Sequence, residues 1–122
     1  MLGFAYDAKG MYEEAIAVHE KTAARNPEMK WALAYSYALA GRRDEARKMA
    51  AEVEEGASRR KHYNLAKIYT ALGETDEAFR WLEAAYENRS LGTGLRGTPP
   101  FKPLRGDLRF HDLLRRINLP PI

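Results

Sequence analysis

Three stretches of this chain repeat nearly the same short pattern. Each has a leucine, a small residue beside it and a tyrosine three residues later, followed by a glycine and an alanine. The tyrosines Tyr6, Tyr37 and Tyr69 lie 31 and then 32 residues apart, and the glycines and alanines keep the same spacing. A fixed period of this length is typical of a solenoid, in which each unit buries its apolar face by stacking on its neighbours.

The residues between these fixed positions favour helices. Ala, Leu, Glu, Arg and Lys are abundant, whereas valine and isoleucine are scarce. Each run with helical spacing ends at a glycine, which suits the left-handed position past a helix end because it has no Cβ. The next helical run begins with acidic residues, whose carboxylates interact favourably with the partial positive charge at a helix N-terminus. We expect Thr75 to cap one helix and Pro27 to end another. The pattern predicts helical hairpins, with helices at 2–9, 12–25, 29–40, 43–55, 59–72 and 75–89.

The repeated small residues and tyrosines are expected to serve packing. Small side chains let the two helices of a hairpin approach closely. Tyrosine rings can fill the space between hairpins with their hydroxyls at the edge. These positions are Gly3, Ala34, Ala66, Ala15, Ala46, Ala78, Tyr6, Tyr37 and Tyr69.

In these residues the chain resembles the tetratricopeptide repeat (TPR) family, whose signature is W-x2-L-G-x2-Y followed by A, F and P. The resemblance is carried by three copies in register, Leu2-Gly3-x-x-Tyr6, Leu33-Ala34-x-x-Tyr37 and Leu65-Ala66-x-x-Tyr69. The period is shorter than the usual 34 residues, and the signature tryptophan is replaced by Lys30 and His62. The resemblance implies an all-α fold of antiparallel hairpins stacked in a right-handed solenoid. We expect three hairpins over residues 1–90, at about 1–27, 28–58 and 59–90.

Residues 91–122 do not continue the repeat and are predicted to form a loop and a capping helix. Asp107 is a suitable N-cap for a helix at 108–117. Phe110, Leu113, Leu114 and Ile117 then form a single apolar stripe. An amphipathic helix in this position would cover the exposed end of a solenoid.

The segment Phe101–Phe110 also resembles the closing segment of bacterial multidomain TPR proteins, in which the repeats form a regulatory or docking module. This resemblance implies a bacterial source, a cytoplasmic location and a larger parent protein. The chain starts within a first helix, so this helix is expected to be truncated. The N-terminal edge is then expected to support self-association, since uncapped repeat ends expose apolar faces.

Composition and charge exclude several classes of function. The chain has no cysteine, so disulfides and thiolate metal sites are excluded. No apolar run approaches the ~18 residues of a membrane span, and no membrane partner is expected. The net charge is +3, but residues 1–90 hold 14 basic and 15 acidic residues, whereas residues 91–122 hold six and two. The basic character therefore belongs to the tail.

Candidate functional residues follow from the resemblance to TPR proteins, in which the first helices line a concave groove that binds peptides. The resemblance implies a protein or peptide partner with an apolar anchor and an acidic group. Trp31 and Tyr35 could instead serve packing, and this alternative stays open. The match to the TPR clamp for C-terminal carboxylates is partial, which argues against chaperone-tail binding. The partner-binding positions are Phe4, Asp7, Trp31, Tyr35, Ala38, Arg60, Tyr63, Asn64, Lys67 and Thr70.

The sequence favours a non-catalytic scaffold without cofactor or metal. His19, His62 and His111 have no metal-binding spacing. The serines have no nucleophile-elbow context. The glycine-rich stretch 92–97 lacks the Gly-Lys-Ser/Thr ending of a phosphate-binding loop.

Nucleic-acid binding through the basic tail is the alternative from another class. Cations in and beside the tail could form a stripe along phosphates, and such binding must weaken steeply with added salt. The slightly acidic repeats argue against it. These cations are Arg59, Arg60, Lys61, Arg96, Lys102, Arg105, Arg109, Arg115 and Arg116.

Overall fold

A computed structural model describes residues 6–7, 9–56, 60–88 and 99–117. Tyr6 and Asp7 are helical, and two short 3-10 segments cover Pro27–Met29 and Pro99–Leu104. The all-α prediction is confirmed, and each predicted helix from residue 12 onward agrees with an observed one to within two residues. The α-helices are α1 (Tyr12–Arg25), α2 (Lys30–Leu39), α3 (Arg43–Glu55), α4 (Lys61–Ala71), α5 (Thr75–Glu87) and α6 (Leu108–Arg116).

The repeated glycines reverse the chain inside each hairpin. Gly10, Gly41 and Gly73 have φ of 77°, 81° and 76°, the left-handed region where a Cβ is disfavoured. In the second hairpin the Arg42 N–H donates to the Tyr37 carbonyl at 2.9 Å, which is the closing bond of a Schellman motif. The carbonyls of the other two repeated tyrosines, Tyr6 and Tyr69, accept the equivalent hydrogen bonds. The constant spacing of tyrosine and glycine thus follows from the turn.

Four of the repeated alanines belong to the hydrophobic core. Ala46 and Ala78, in the second helices, and Ala34 and Ala66, in the first, are fully buried. Within hairpins α2 packs on α3 and α4 on α5, while α2 also packs on α4 across the repeat. Contacts of α1 with α2 and of α3 with α4 complete the stacking expected of a repeat solenoid.

Exposed ion pairs align successive units. Arg42 donates to Glu13 at 2.7 Å across the first junction, and Arg47 pairs with Glu74 across the second. Exposed pairs of this kind contribute at most ~1 kcal/mol each. The hydrophobic core therefore provides most of the stability, and these pairs mainly fix the register of the units.

The tail closes the far end of the stack. Asp107 Oδ1 accepts a hydrogen bond from the Arg109 N–H at 2.8 Å, which confirms the predicted N-cap. Phe110, Leu113 and Leu114 are fully buried, and α6 packs on α5. Among the described helices, none is long and apolar enough to cross a membrane.

One predicted cap is wrong. Thr75 is the first residue of α5, and the residue before it, Glu74, makes no side-chain capping bond. The Ala78 N–H instead donates to the Glu74 carbonyl at 3.0 Å. Glu74, and not Thr75, therefore occupies the N-cap position of α5. The glycine-rich stretch 92–97 lies outside the described residues.

Replacing a turn glycine should destabilise the protein through the backbone alone. An added Cβ at Gly41 would meet no atom within 4 Å, so Gly41→Ala carries only the cost of a left-handed L-residue, about 1–2 kcal/mol. We expect this loss in the free energy of unfolding measured by denaturant titration. Gly106→Ala is the matched control, since it has equal space without the positive φ. An equal loss in both variants would contradict this account of the turn.

The capping role of α6 predicts that one leucine of this helix contributes strongly to stability and that another does not. Leu113 is fully buried, whereas Leu108 is 84% exposed. Leu113→Ala should lower the free energy of unfolding by about 2–4 kcal/mol because it leaves a cavity. Leu108→Ala should change it by less than about 0.5 kcal/mol. If thermal and denaturant unfolding find both variants as stable as the parent, α6 does not cap the stack.

Candidate functional site

The predicted site residues lie mainly on α2 and α4, which pack side by side. Trp31 and Tyr35 are one turn apart on α2, and Tyr63 and Lys67 are one turn apart on α4. Arg60 directly precedes α4. Residues four apart share one face of a helix, so the two pairs meet where the helices touch. Of the remaining positions, Phe4 lies outside the described residues.

These five residues, here named the aromatic–cation cluster, are joined by a series of pairwise contacts. The Lys67 Nζ atom lies 4.3 Å from the Trp31 ring centroid and 4.7 Å from that of Tyr63. The Arg60 guanidinium carbon lies 5.1 Å from the Tyr63 centroid. The rings of Trp31 and Tyr35 are 6.5 Å apart at 52°. All the cation distances are within the range of cation–π attraction.

The Lys67 ammonium occupies an electrostatically unfavourable place. Burial, together with a smaller effect of the neighbouring Arg60 charge, lowers the pKa of Lys67 to about 8. Among the described residues, no carboxylate lies within ion-pair distance of Lys67 Nζ. The two ring faces provide part of the lost solvation. An incoming anion would therefore meet a cation that still lacks a counter-charge within the described part of the chain.

Tyr35 stays protonated at every physiological pH. Burial is the main cause that raises the pKa of Tyr35 to about 12, and the Asp7 carboxylate and Tyr12 act in the same direction. Its hydroxyl is thus a neutral donor and acceptor beside Trp31. The cluster consequently combines a neutral aromatic end on α2 with a cationic end on α4.

Asp7 lies inside the protein rather than on an open surface. It is 7% exposed, and the Ser36 hydroxyl lies 2.9 Å from both of its carboxylate oxygens. His19 Nε2 is 3.5 Å from Asp7 Oδ2, and Ser36 and His19 are fully buried. The hydroxyl faces the carboxylate and not the imidazole, unlike a nucleophile and its base. These contacts tie the helix of Asp7 to α2 and α1.

Two further predicted residues are also largely buried. The Thr70 hydroxyl donates to the Ala66 carbonyl at 2.7 Å, within α4. Asn64 lines a separate cleft of about 290 Å³, together with Lys30 and Glu52, which pair at 3.1 Å. Both side chains therefore lie apart from the contacts between the aromatic rings and Lys67.

The tail contributes a residue to the cluster that sequence reasoning missed. Phe101 is fully buried and stacks edge-on against Tyr63, with centroids 5.3 Å apart. It belongs to the proline-rich 3-10 segment, which packs on α4. The sequence of a short segment without helical periodicity does not indicate which helix that segment will pack on. The bulky aromatic between prolines was the only hint in the sequence.

The basic tail is largely neutralised where the structure describes it. Arg109 pairs with Asp76 and Asp107, and Arg116 pairs with Glu83. Arg115 pairs with Asp112, and Lys61 donates to backbone carbonyls. Two other predicted cations, Arg59 and Arg96, lie outside the described residues. The arrangement does not favour a phosphate-binding stripe.

Groups of ionisable residues outside the cluster do not form a metal site. Within the ranges described, no three His, Asp or Glu side chains lie close enough to hold an ion. The aromatic–cation cluster itself offers ring faces and cations to a ligand.

Comparison with known families gives three matches. Models of the tetratricopeptide repeat match residues 1–28, 30–52 and 62–90. Together these matches span more than half of the chain. Neither the curated proteins nor the solved structures compared with the chain gave a significant match.

Because the charge of Lys67 is partly desolvated, replacing this residue by an apolar one should stabilise the protein. Lys67→Met removes the charge but keeps an apolar chain of similar length between the rings. We expect the free energy of unfolding at pH 7 to rise by about 1–3 kcal/mol. The pKa of Lys67 is about 8 in the folded protein against an ordinary 10.5. The unfolded state thus binds more protons between these values, and the stability of the parent rises with pH across them.

The advantage of Lys67→Met should accordingly shrink between pH 7 and about pH 10.5. Denaturant titrations of both proteins at the two pH values measure it. Lys48→Met, on the exposed surface of α3, is the control and should change stability by less than about 0.5 kcal/mol. A gain that does not depend on pH would show that Lys67 is not desolvated.

Proposed function

We propose that this chain, which belongs to the tetratricopeptide repeat family, is a non-catalytic interaction module that binds a peptide in its groove. TPR repeats generally mediate protein–protein interactions. In this chain the groove surface is formed where α2 and α4 lie side by side. The partner is a peptide segment or a domain of another protein.

The observation that carries the proposal is the aromatic–cation cluster. Trp31 and Tyr35 offer apolar ring area at one end, and Lys67 and Arg60 offer positive charge at the other. Aromatic and arginine side chains are the commonest energetic anchors of protein interfaces. A peptide that carries an apolar anchor next to an acidic group would complement both ends.

The cluster narrows the set of binding residues. Contact with a partner is assigned to Trp31, Tyr35, Arg60 and Lys67, whereas Tyr63, which is only 2% exposed, supports them from the core. The buried Asp7, Asn64 and Thr70 belong to the supporting layer of the same surface in this proposal, since their contacts are inside the protein. Phe4 stays a prediction.

The wider setting is also a proposal. The resemblance of the segment 101–110 to closing segments of bacterial TPR proteins supports a role as a docking module of a larger bacterial protein in the cytoplasm. Nucleic-acid binding is not favoured, because Arg109, Arg115 and Arg116 of the tail pair with carboxylates.

The test is selection of peptide ligands followed by substitution in the groove. Peptides selected from a random capped library on the wild-type chain should bind the Trp31→Ala/Tyr35→Ala variant at least tenfold more weakly, a loss of about 1.4 kcal/mol or more. The affinities are measured by fluorescence anisotropy.

Lys48→Ala is the matched control, since Lys48 is exposed on α3 and should leave binding unchanged. Circular dichroism checks that the double variant is folded. Selected peptides that bind the folded double variant as tightly as the parent would place the binding surface elsewhere.

A further inference from the structure

Resting on the proposed function, we infer that the α2–α4 surface selects an acidic side chain of the partner, glutamate or aspartate, at Lys67, and only while Lys67 carries its proton. The inference concerns the chemistry of the partner and its dependence on pH. It goes beyond the family's general capacity to bind proteins.

Within the described residues, the contacts of the Lys67 ammonium do not use its N–H donors, so these donors can bind a ligand. An ammonium has three N–H donors, and its contacts here are two ring faces, Trp31 at 4.3 Å and Tyr63 at 4.7 Å. Ring faces attract the charge without the strong acceptors that N–H groups require. Within the described residues, the structure gives Lys67 Nζ no hydrogen bond and no ion pair. A carboxylate at this point would satisfy both charge and donors.

Several other cations have a counter-charge of their own. Each is paired with a carboxylate that lies on the same helix or on a neighbouring one. Exposed lysines such as Lys48 are solvated by water instead. Lys67, half-buried between rings, has no paired carboxylate among the described residues and is less open to water than an exposed lysine. The paired cations are Lys30, Arg42, Arg47, Arg80, Arg109 and Arg116.

Among the described residues that surround Lys67, only Lys67 itself changes its charge near neutral pH. From α2, Trp31 does not titrate and Tyr35 stays neutral, with a pKa of about 12. From α4, Arg60 stays charged beside Tyr63. The 3-10 segment contributes only Phe101, and the buried Asp7 acts on this surface through Tyr35.

The sign of the pH dependence follows. The pKa of Lys67 is about 8, so the fraction of binding-competent protein falls above this pH. A carboxylate ligand should bind about tenfold more weakly at pH 9 than at pH 7, because only about a tenth of Lys67 is then protonated.

A side-chain carboxylate fits better than a chain terminus. A clamp for the C-terminal carboxylate would need neutral donors around the cation. The Thr70 hydroxyl donates to the Ala66 carbonyl instead, and Asn64 lines the separate cleft beside Lys30 and Glu52. The site therefore presents cations and aromatic area, which suit one acidic side chain beside an apolar one.

Three small probes test this partner chemistry. They are N-acetyl-Phe-Glu amide, its neutral analogue N-acetyl-Phe-Gln amide, and N-acetyl-Phe-Gly with a free terminal carboxylate. Binding is followed by NMR titration of the ¹⁵N-labelled chain at pH 7 and pH 9. We expect the Phe-Glu probe to bind at least tenfold more tightly than the other two at pH 7, and to lose about tenfold at pH 9.

Three variants assign the effect to Lys67. Lys67→Arg keeps its charge at pH 9, so its preference for the Phe-Glu probe should persist there. Lys67→Met should bind the Phe-Glu and Phe-Gln probes equally. Lys48→Met should behave as the wild type does.

The failures of the two ideas can be told apart. Equal binding of the Phe-Glu and Phe-Gln probes, with shifts at Trp31, overturns the acidic partner and leaves the groove in place. Tighter binding of the free terminal carboxylate overturns the side-chain source. Unchanged affinity of the wild type at pH 9 overturns the proton dependence. Absence of shifts at Trp31 with every probe overturns both the inference and the proposed groove.

Discussion

The close approach of helices at fully buried alanines is the constraint on which the rest of the structure depends. Ala34 and Ala66 in the first helices, and Ala46 and Ala78 in the second, have no exposed surface. A larger side chain at any of them would force the helices apart, because protein interiors are close-packed and overpacking is destabilising. The left-handed glycines set the hairpin angle, and the alanines set the spacing between helices. Together they bring α2 and α4 side by side.

That spacing produces the aromatic–cation cluster. Because α2 and α4 are in contact, Trp31 on one helix and Lys67 on the other come within 4.3 Å. Holding an ammonium in this half-buried place opposes folding, since burial disfavours its charged form. Sites that sacrifice some stability in this way are typical of function. The energetic cost at Lys67 and the proposed binding of an acidic side chain are two consequences of the same geometry.

Local patterns in the sequence predict much of this fold. The helix bounds, the turn glycines and the Asp107 cap depend on residues a few positions apart, so their physics is visible in the sequence. The pairing of Asp7 with Ser36 joins residues 29 positions apart and gives no local signal. Phe101 lies in a segment without helical period, so its stacking on Tyr63 could not be predicted. The resemblance to TPR proteins implied Trp31, Tyr35, Tyr63 and Lys67 as groove positions, but it gave no signal of which of them are buried.

The two tryptophans of the chain allow the most direct test of the binding surface. Trp31 lies in the cluster, whereas Trp81 is buried on α5, so their indole N–H signals in a ¹H–¹⁵N spectrum report on two different places. On addition of a bound partner peptide, the account predicts that the Trp31 signal moves and the Trp81 signal keeps its position. Movement of Trp81 alone, or of neither signal at saturation, would contradict the assignment of the groove to α2 and α4.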